Sequence, residues 1–90
     1  MRRAEFSTRF ARDLRLAERR GKDIAKLKRL IALLMSGLAL PSSYGDHPLK
    51  GNWAGYRDAH IEPDWIMIYK VVDDTVRFQR IGTHADLFDA

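Results

Sequence analysis

Residues 56–82 read YRDAHIEPDWIMIYKVVDDTVRFQRIG, and their patterning decides the fold. Tyr56 to Ile61 alternates: Tyr56, Asp58 and His60 share one face of a strand, and Arg57, Ala59 and Ile61 share the other. Glu62-Pro63-Asp64 makes a tight turn. Trp65 to Val72 is a nearly unbroken apolar run of strand length, which predicts a central strand covered on both faces. Asp73-Asp74 is a second turn, and Thr75 to Gly82 is a further strand. Three strands with such short connections predict an antiparallel meander.

Upstream the period changes from two to that of a helix. Arg2 to Phe6 reads as a short opening strand, and Ser7 or Thr8 caps a helix behind it. Phe6, Phe10, Leu14 and Ala17 recur at helical spacing, and Gly21 ends the segment. Asp23 caps a second helix with a stripe of Ile24, Leu27, Ile31, Leu34 and Leu38, widened by Leu30 and Leu33. The stripe is too short for a sustained coiled coil, so it belongs to a core. Gly37 to Pro48 reads as a loop, marked by Pro41, Ser42, Ser43, Gly45 and Pro48. The expected fold is α+β: an N-terminal helical hairpin packed on a twisted antiparallel sheet of about four strands. Residues 1–90 form one domain.

Composition narrows the function classes. The chain has no cysteine, which excludes disulfides and thiolate metal sites. No apolar run approaches the roughly 18 residues of a membrane span. The start, Met1-Arg2-Arg3-Ala4-Glu5-Phe6, has charge with no apolar segment behind it, unlike a secretory signal. A cytoplasmic protein away from membranes is expected. Residues 1–40 hold 11 Lys/Arg against 4 Asp/Glu, and residues 41–90 hold 5 against 8, so a balance of +7 meets one of −3. Such a basic half is either a solvated helix face or a docking surface for a polyanion or an acidic protein.

The polar residues suggest acid–base chemistry. Asp58 and His60 point the same way from one strand, and a carboxylate beside a histidine fixes its orientation and favours the imidazolium. Asp64 follows after a turn and can fold back towards His60. His84 comes where the last strand ends, and His47 lies in a Gly-Asp-His-Pro loop. The three histidines can converge as structural side chains, as a zinc site, or as proton carriers near neutral pH. No short helical ligand spacing supports metal. In the third reading one group takes a proton from a ribose 2′-hydroxyl and another gives one to the leaving 5′-oxygen, while cations stabilise the charge on phosphorus. Arg80, Lys50 and Arg57 are candidate cations, Arg57 being the one most readily explained as a surface ion pair. Phe88 either stacks on an RNA base or packs the tail.

The run Asp46-His47-Pro48-Leu49-Lys50-Gly51-Asn52-Trp53, then Gly55-Tyr56-Arg57-Asp58-Ala59-His60-Ile61-Glu62-Pro63-Asp64-Trp65-Ile66, Tyr69-Lys70 and Arg80-Ile81-Gly82-Thr83-His84 resembles the YafQ branch of the RelE/ParE toxin superfamily. The Lys-Asp-Ile-Ala-Lys-Leu-Lys segment at 22–28 is similar to that branch too. The resemblance implies the toxin of a type II toxin–antitoxin module: an endoribonuclease that cuts messenger RNA in the ribosomal A site, without metal or cofactor. It implies a catalytic cluster at His47, His60, Asp64 and His84, with Phe88 as the C-terminal aromatic and Asp58 in support. Lys50 and Arg80 are the expected RNA-binding residues. The products implied are a cyclic or 3′-phosphate and a 5′-hydroxyl. The implied partner is an antitoxin with a ribbon-helix-helix DNA-binding end. The toxin alone would be a monomer, and the pair a heterotetramer. ParE-like toxins share the fold but act on gyrase, so a non-enzymatic toxin stays a competing reading, as does a plain RNA-binding module.

Overall fold

A computed structural model of the chain describes residues 2–88; Met1, Asp89 and Ala90, which the single-domain reading includes, lie outside the described residues. The elements run β1 (Arg3–Phe6), α1 (Thr8–Arg19), α2 (Ile24–Ser36), β2 (His47–Pro48), β3 (Arg57–Glu62), β4 (Trp65–Val72), β5 (Thr75–Gly82) and α3 (His84–Phe88). Single 3₁₀ turns at Ser42–Tyr44 and Gly51–Trp53 flank β2.

The apolar run behaves as its composition predicts. β4 is the middle strand of a sheet ordered β1-β5-β4-β3-β2, antiparallel to both neighbours. Trp65, Met67 and Tyr69 join Ala59, Ile61, Val76, Phe78 and Ile81 in the main core, which Phe10 and Ala17 of α1 and Leu27, Leu30 and Leu34 of α2 complete. The alternate residues Ile66 and Ile68 enter a second, smaller cluster with Leu87, against which Leu49, Trp53 and Tyr56 pack. Coverage on both faces is why this strand carries no polar alternation.

Two expectations about the sheet need correction. It has five strands rather than about four, and it is not wholly antiparallel, because β1 pairs with β5 in parallel. The extra strand is β2, inside the segment read as a loop. With two residues, one of them Pro48, it shows no alternation, and an edge position tolerates a residue without an N–H. Phe6 belongs to β1 rather than to a helix, and its ring stacks on Phe78 at 4.9 Å. Leu38 lies beyond α2 and is 71% exposed, so it is not part of that helix's apolar stripe.

The helix boundaries follow from local chemistry. Ser7 Oγ accepts from Phe10 N at 2.9 Å and donates to Gln79 O at 2.6 Å, capping α1 while tying it to β5. Gly21, at φ +76°, lets the chain leave α1 in the left-handed region. Asp23 Oδ1 accepts from Ala25 N and opens α2. The register of β5 slips opposite Ile68 and Tyr69, which face Arg80 and Phe78, so Gln79 is the extra residue of a bulge. No helix among the described residues is long and apolar enough to cross a membrane.

Candidate active site

The pairing of β2 with β3 decides where the first histidine goes. His47 stands directly across from Asp58, and its Nδ1 comes within 2.8 Å of Asp58 Oδ1. The same Nδ1 donates to Gly45 O at 2.9 Å, and Asp58 Oδ1 is left without an aligned hydrogen bond. Asp58 is 4% exposed. Burial pushes its carboxyl above the usual range, opposed by His47, His60 and His84, which all act on it. The carboxylate that shares a strand face with His60 therefore engages His47. Strand alternation gives the face, but cross-strand register chooses the partner.

Asp64 also has a different partner from the one expected. Instead of folding back on His60, it accepts from the backbone N of His84 at 2.9 Å and from its ring Nδ1 at 2.7 Å. The His84 N–H, then its ring, hold the Asp64 carboxyl below the usual carboxylate range. His60 donates from Nδ1 to Pro63 O, at 3.3 Å across its own turn. The His60 and His84 rings lie 5.7 Å apart, and Phe88 lies 6.1 Å beyond His84. Each of the three histidines thus has Nδ1 tied to an acceptor, which fixes the tautomer and leaves Nε2 as the available atom.

The supports of this cluster were not all foreseen. Asp46 binds Arg57 from Nε and Nη2 at 3.2 and 3.1 Å and accepts from Tyr69 OH at 2.5 Å, which pins the loop just before His47. Arg57 is thus held in an ion pair with Asp46, the reading the sequence favoured for it. Burial, then Asp46, push the Tyr69 phenol well above its usual range. Thr83 and Asp86 form a reciprocal cap: Asp86 Oδ2 accepts from Thr83 N at 3.0 Å, and Thr83 Oγ1 accepts from Asp86 N at 3.1 Å. A Thr-x-x-Asp spacing is a legible signal for such a cap. Arg20, just past the end of α1, closes it at 2.7 Å. Gly82 is required here, because a Cβ would lie 2.9 Å from Asp86 Cβ. Leu87 anchors α3 in the smaller cluster, and Phe88 stays 40% exposed beside His84.

The expected cations are placed differently. Arg80 donates from Nε and Nη2 to Asp13 at 2.9 and 3.0 Å, a pair in which both side chains are largely buried. Lys50 is exposed at the start of the 3₁₀ turn after β2, with no ion pair among the described residues. No group of three His, Cys, Asp or Glu among the described residues is arranged to hold a metal ion.

The cap of α3 gives a pH test. Arg20, then the Thr83 N–H, draw the Asp86 carboxyl from 3.8 down to about 2. A depressed carboxyl stabilises the fold above its unfolded pKa and loses that contribution as pH falls through the folded one. Wild type should melt above Asp86→Asn at neutral pH, and the difference should close between pH about 4 and 2. Melting curves across that range check it; a difference that persists unchanged at the acid end contradicts it.

A small α+β protein that gathers histidines and carboxylates beside one sheet is the class that this fold and site define. Residues 2–89 match the family described as bacterial toxin of type II toxin–antitoxin system, YafQ. The chain is 56% identical over 85 residues to an mRNA interferase toxin YafQ of Escherichia coli K12, covering 93% of this chain and 92% of that one. The crystal structure of YafQ from E. coli BL21(DE3) superposes with a TM-score of 0.93 at 54% identity, covering 98% of this chain and 99% of that one. YafQ in the E. coli DinJ-YafQ complex gives 0.91 at 55% identity, with the same coverage. The chain belongs to the YafQ family of type II toxin–antitoxin toxins.

Proposed function

We propose that the protein cuts messenger RNA by metal-independent acid–base catalysis, with the substrate's own 2′-hydroxyl as nucleophile. The coarser activity, an mRNA interferase and so an endoribonuclease, follows from family membership and 56% identity to a relative of that activity. The mechanism is supported above all by two imidazoles 5.7 Å apart, each with Nδ1 engaged and Nε2 free. One neutral ring takes the 2′-hydroxyl proton at Nε2 as that oxygen attacks phosphorus, and the other, as the imidazolium, gives its Nε2 proton to the departing 5′-oxygen. The products are a cyclic or 3′-phosphate and a 5′-hydroxyl. Asp64 orients His84, and the Gly45 carbonyl orients His47, the third candidate for proton transfer, with the Asp58 carboxyl beside it. Phe88 stacks on a base beside the cleaved bond. Lys50, exposed and without an ion pair among the described residues, supports the phosphate, whereas Arg80 would do so only by sharing its charge with Asp13.

The basic surface of residues 1–40 serves the ribosome, where the transcript is presented, and an acidic antitoxin that folds on binding and covers the site. The E. coli relative is seen in complex with DinJ; a cognate ribbon-helix-helix antitoxin, joining this toxin in a heterotetramer, is the corresponding partner. The deciding experiment is induced expression in cells followed by mapping of transcript ends. Cuts within translated frames are expected. Intact transcripts with damaged DNA would favour a gyrase-directed toxin, and cleavage in vitro that disappears with EDTA would sink the metal-free chemistry.

A further inference from the structure

A cleft of about 490 Å³ opens beside His60, between the start of α2 and the loop before β2. Its lining includes Lys26, Arg29, Ser42, Ser43, Gly45 and His60. We infer that this cleft is a second nucleotide subsite, in which Arg29 holds the phosphate of the RNA residue neighbouring the cleaved bond. The inference rests on the ribonuclease reading of the same site.

Five observations lead to it. Contacts run in order from Phe88 to His84, from His84 to His60, and from His60 into the cleft. A strand of RNA with one base on Phe88 and its scissile phosphate at the histidines continues into this space. The charge is also right. Glu62, the one acid in the lining, is matched by Lys22 at 3.4 Å and Lys26 at 3.1 Å, so Arg29 keeps its charge for a ligand. The hydroxyls of Ser42 and Ser43 add donors and acceptors for a base or ribose. The volume falls within the range of small-molecule sites, about 300–1,000 Å³. Finally, Gly45 couples the cleft to the chemistry. Its carbonyl accepts from His47, and a Cβ on it would touch the His60 ring at 3.6 Å. A nucleotide seated against Gly45 therefore bears on both histidines.

The test uses the purified toxin and a short RNA carrying a 2′-O-methyl group at the cleavage position, which removes the nucleophile. Titration into isotope-labelled protein should shift the amides of Arg29, Ser43 and Gly45 together with those near His84. Arg29→Gln should weaken binding about tenfold and reduce the salt dependence by about one counterion. Arg29→Lys should recover most of the loss. Lys28→Gln removes the same charge from an exposed position of α2 outside the cleft and should have little effect. Equal losses for Arg29→Gln and Lys28→Gln would reduce Arg29 to general steering and overturn the subsite, as would shifts confined to the His84 and Phe88 side. Both variants change exposed side chains, and their melting curves verify folding. Wild-type toxin that leaves transcripts intact in cells defeats the ribonuclease reading itself; a toxin that cuts RNA while its cleft stays silent defeats only the subsite.

Discussion

Replacing His84 with alanine is expected to lower RNA cleavage by about 10²–10⁴-fold while leaving the fold intact. The side chain is 57% exposed and its ring makes one hydrogen bond, to Asp64, so little packing is lost. What disappears is a proton carrier whose ring lies 5.7 Å from that of His60. Asp64→Asn should cost less. An amide oxygen still accepts from the His84 N–H and ring, but the negative charge beside the ring is gone. Growth arrest on induction and transcript-end mapping give the activity, and a melting curve gives the fold. A folded His84→Ala variant with full activity would remove His84 from the chemistry.

Asp13→Ala should be the most destabilising single change at a polar residue. Asp13 is 9% and Arg80 13% exposed at the side chain, and Asp13 also accepts from Ile81 N at 3.1 Å. Truncation leaves a guanidinium and a backbone N–H unpaired away from water. Breaking such a pair costs about 3–5 kcal/mol, which in a domain of this size lowers Tm by roughly 10–25 °C. Removing both charges together, as in Asp13→Leu with Arg80→Met, should recover most of the stability. That double variant also separates the two roles of Arg80. If it melts like wild type and no longer cuts RNA, the guanidinium acts on phosphate; if it melts and cuts like wild type, Arg80 is purely a structural ion pair. A single Asp13→Ala variant with unchanged Tm would show that the pair contributes nothing.

The meander was legible because β4 is apolar on both faces and β3 alternates cleanly; turn residues at 62–64 and 73–74 then leave few other topologies. The strand β2 was not legible, since two residues cannot display a period. Strand alternation put Asp58 and His60 on one side, and burial of Asp58 is consistent with that. It could not reveal that Asp58 faces His47, because that pairing depends on how far the preceding loop travels before it meets the sheet edge. Asp64 escaped the same way: its partner is set by where β5 ends and α3 begins. Arg80 was read as free for substrate because Asp13 is 67 positions away in sequence. The cap of α3 was readable from Thr83 and Asp86 but has consequences only once α3 is known to carry His84 and Phe88.

Two of the three histidine orienters in this site are main-chain carbonyls, those of Gly45 and Pro63. A carbonyl is present whatever side chain a codon specifies, so no point substitution deletes it. A scan that replaces each residue in turn removes the Asp64 acceptor outright but leaves both carbonyls in the chain, reaching that of Gly45 only through strain at its φ of +58°. Inherited variation meets the same blind spot. It can change which rings are present, but the aim of His47 and His60 is written into the path of the backbone, and drifts only if the loop or the turn is rebuilt.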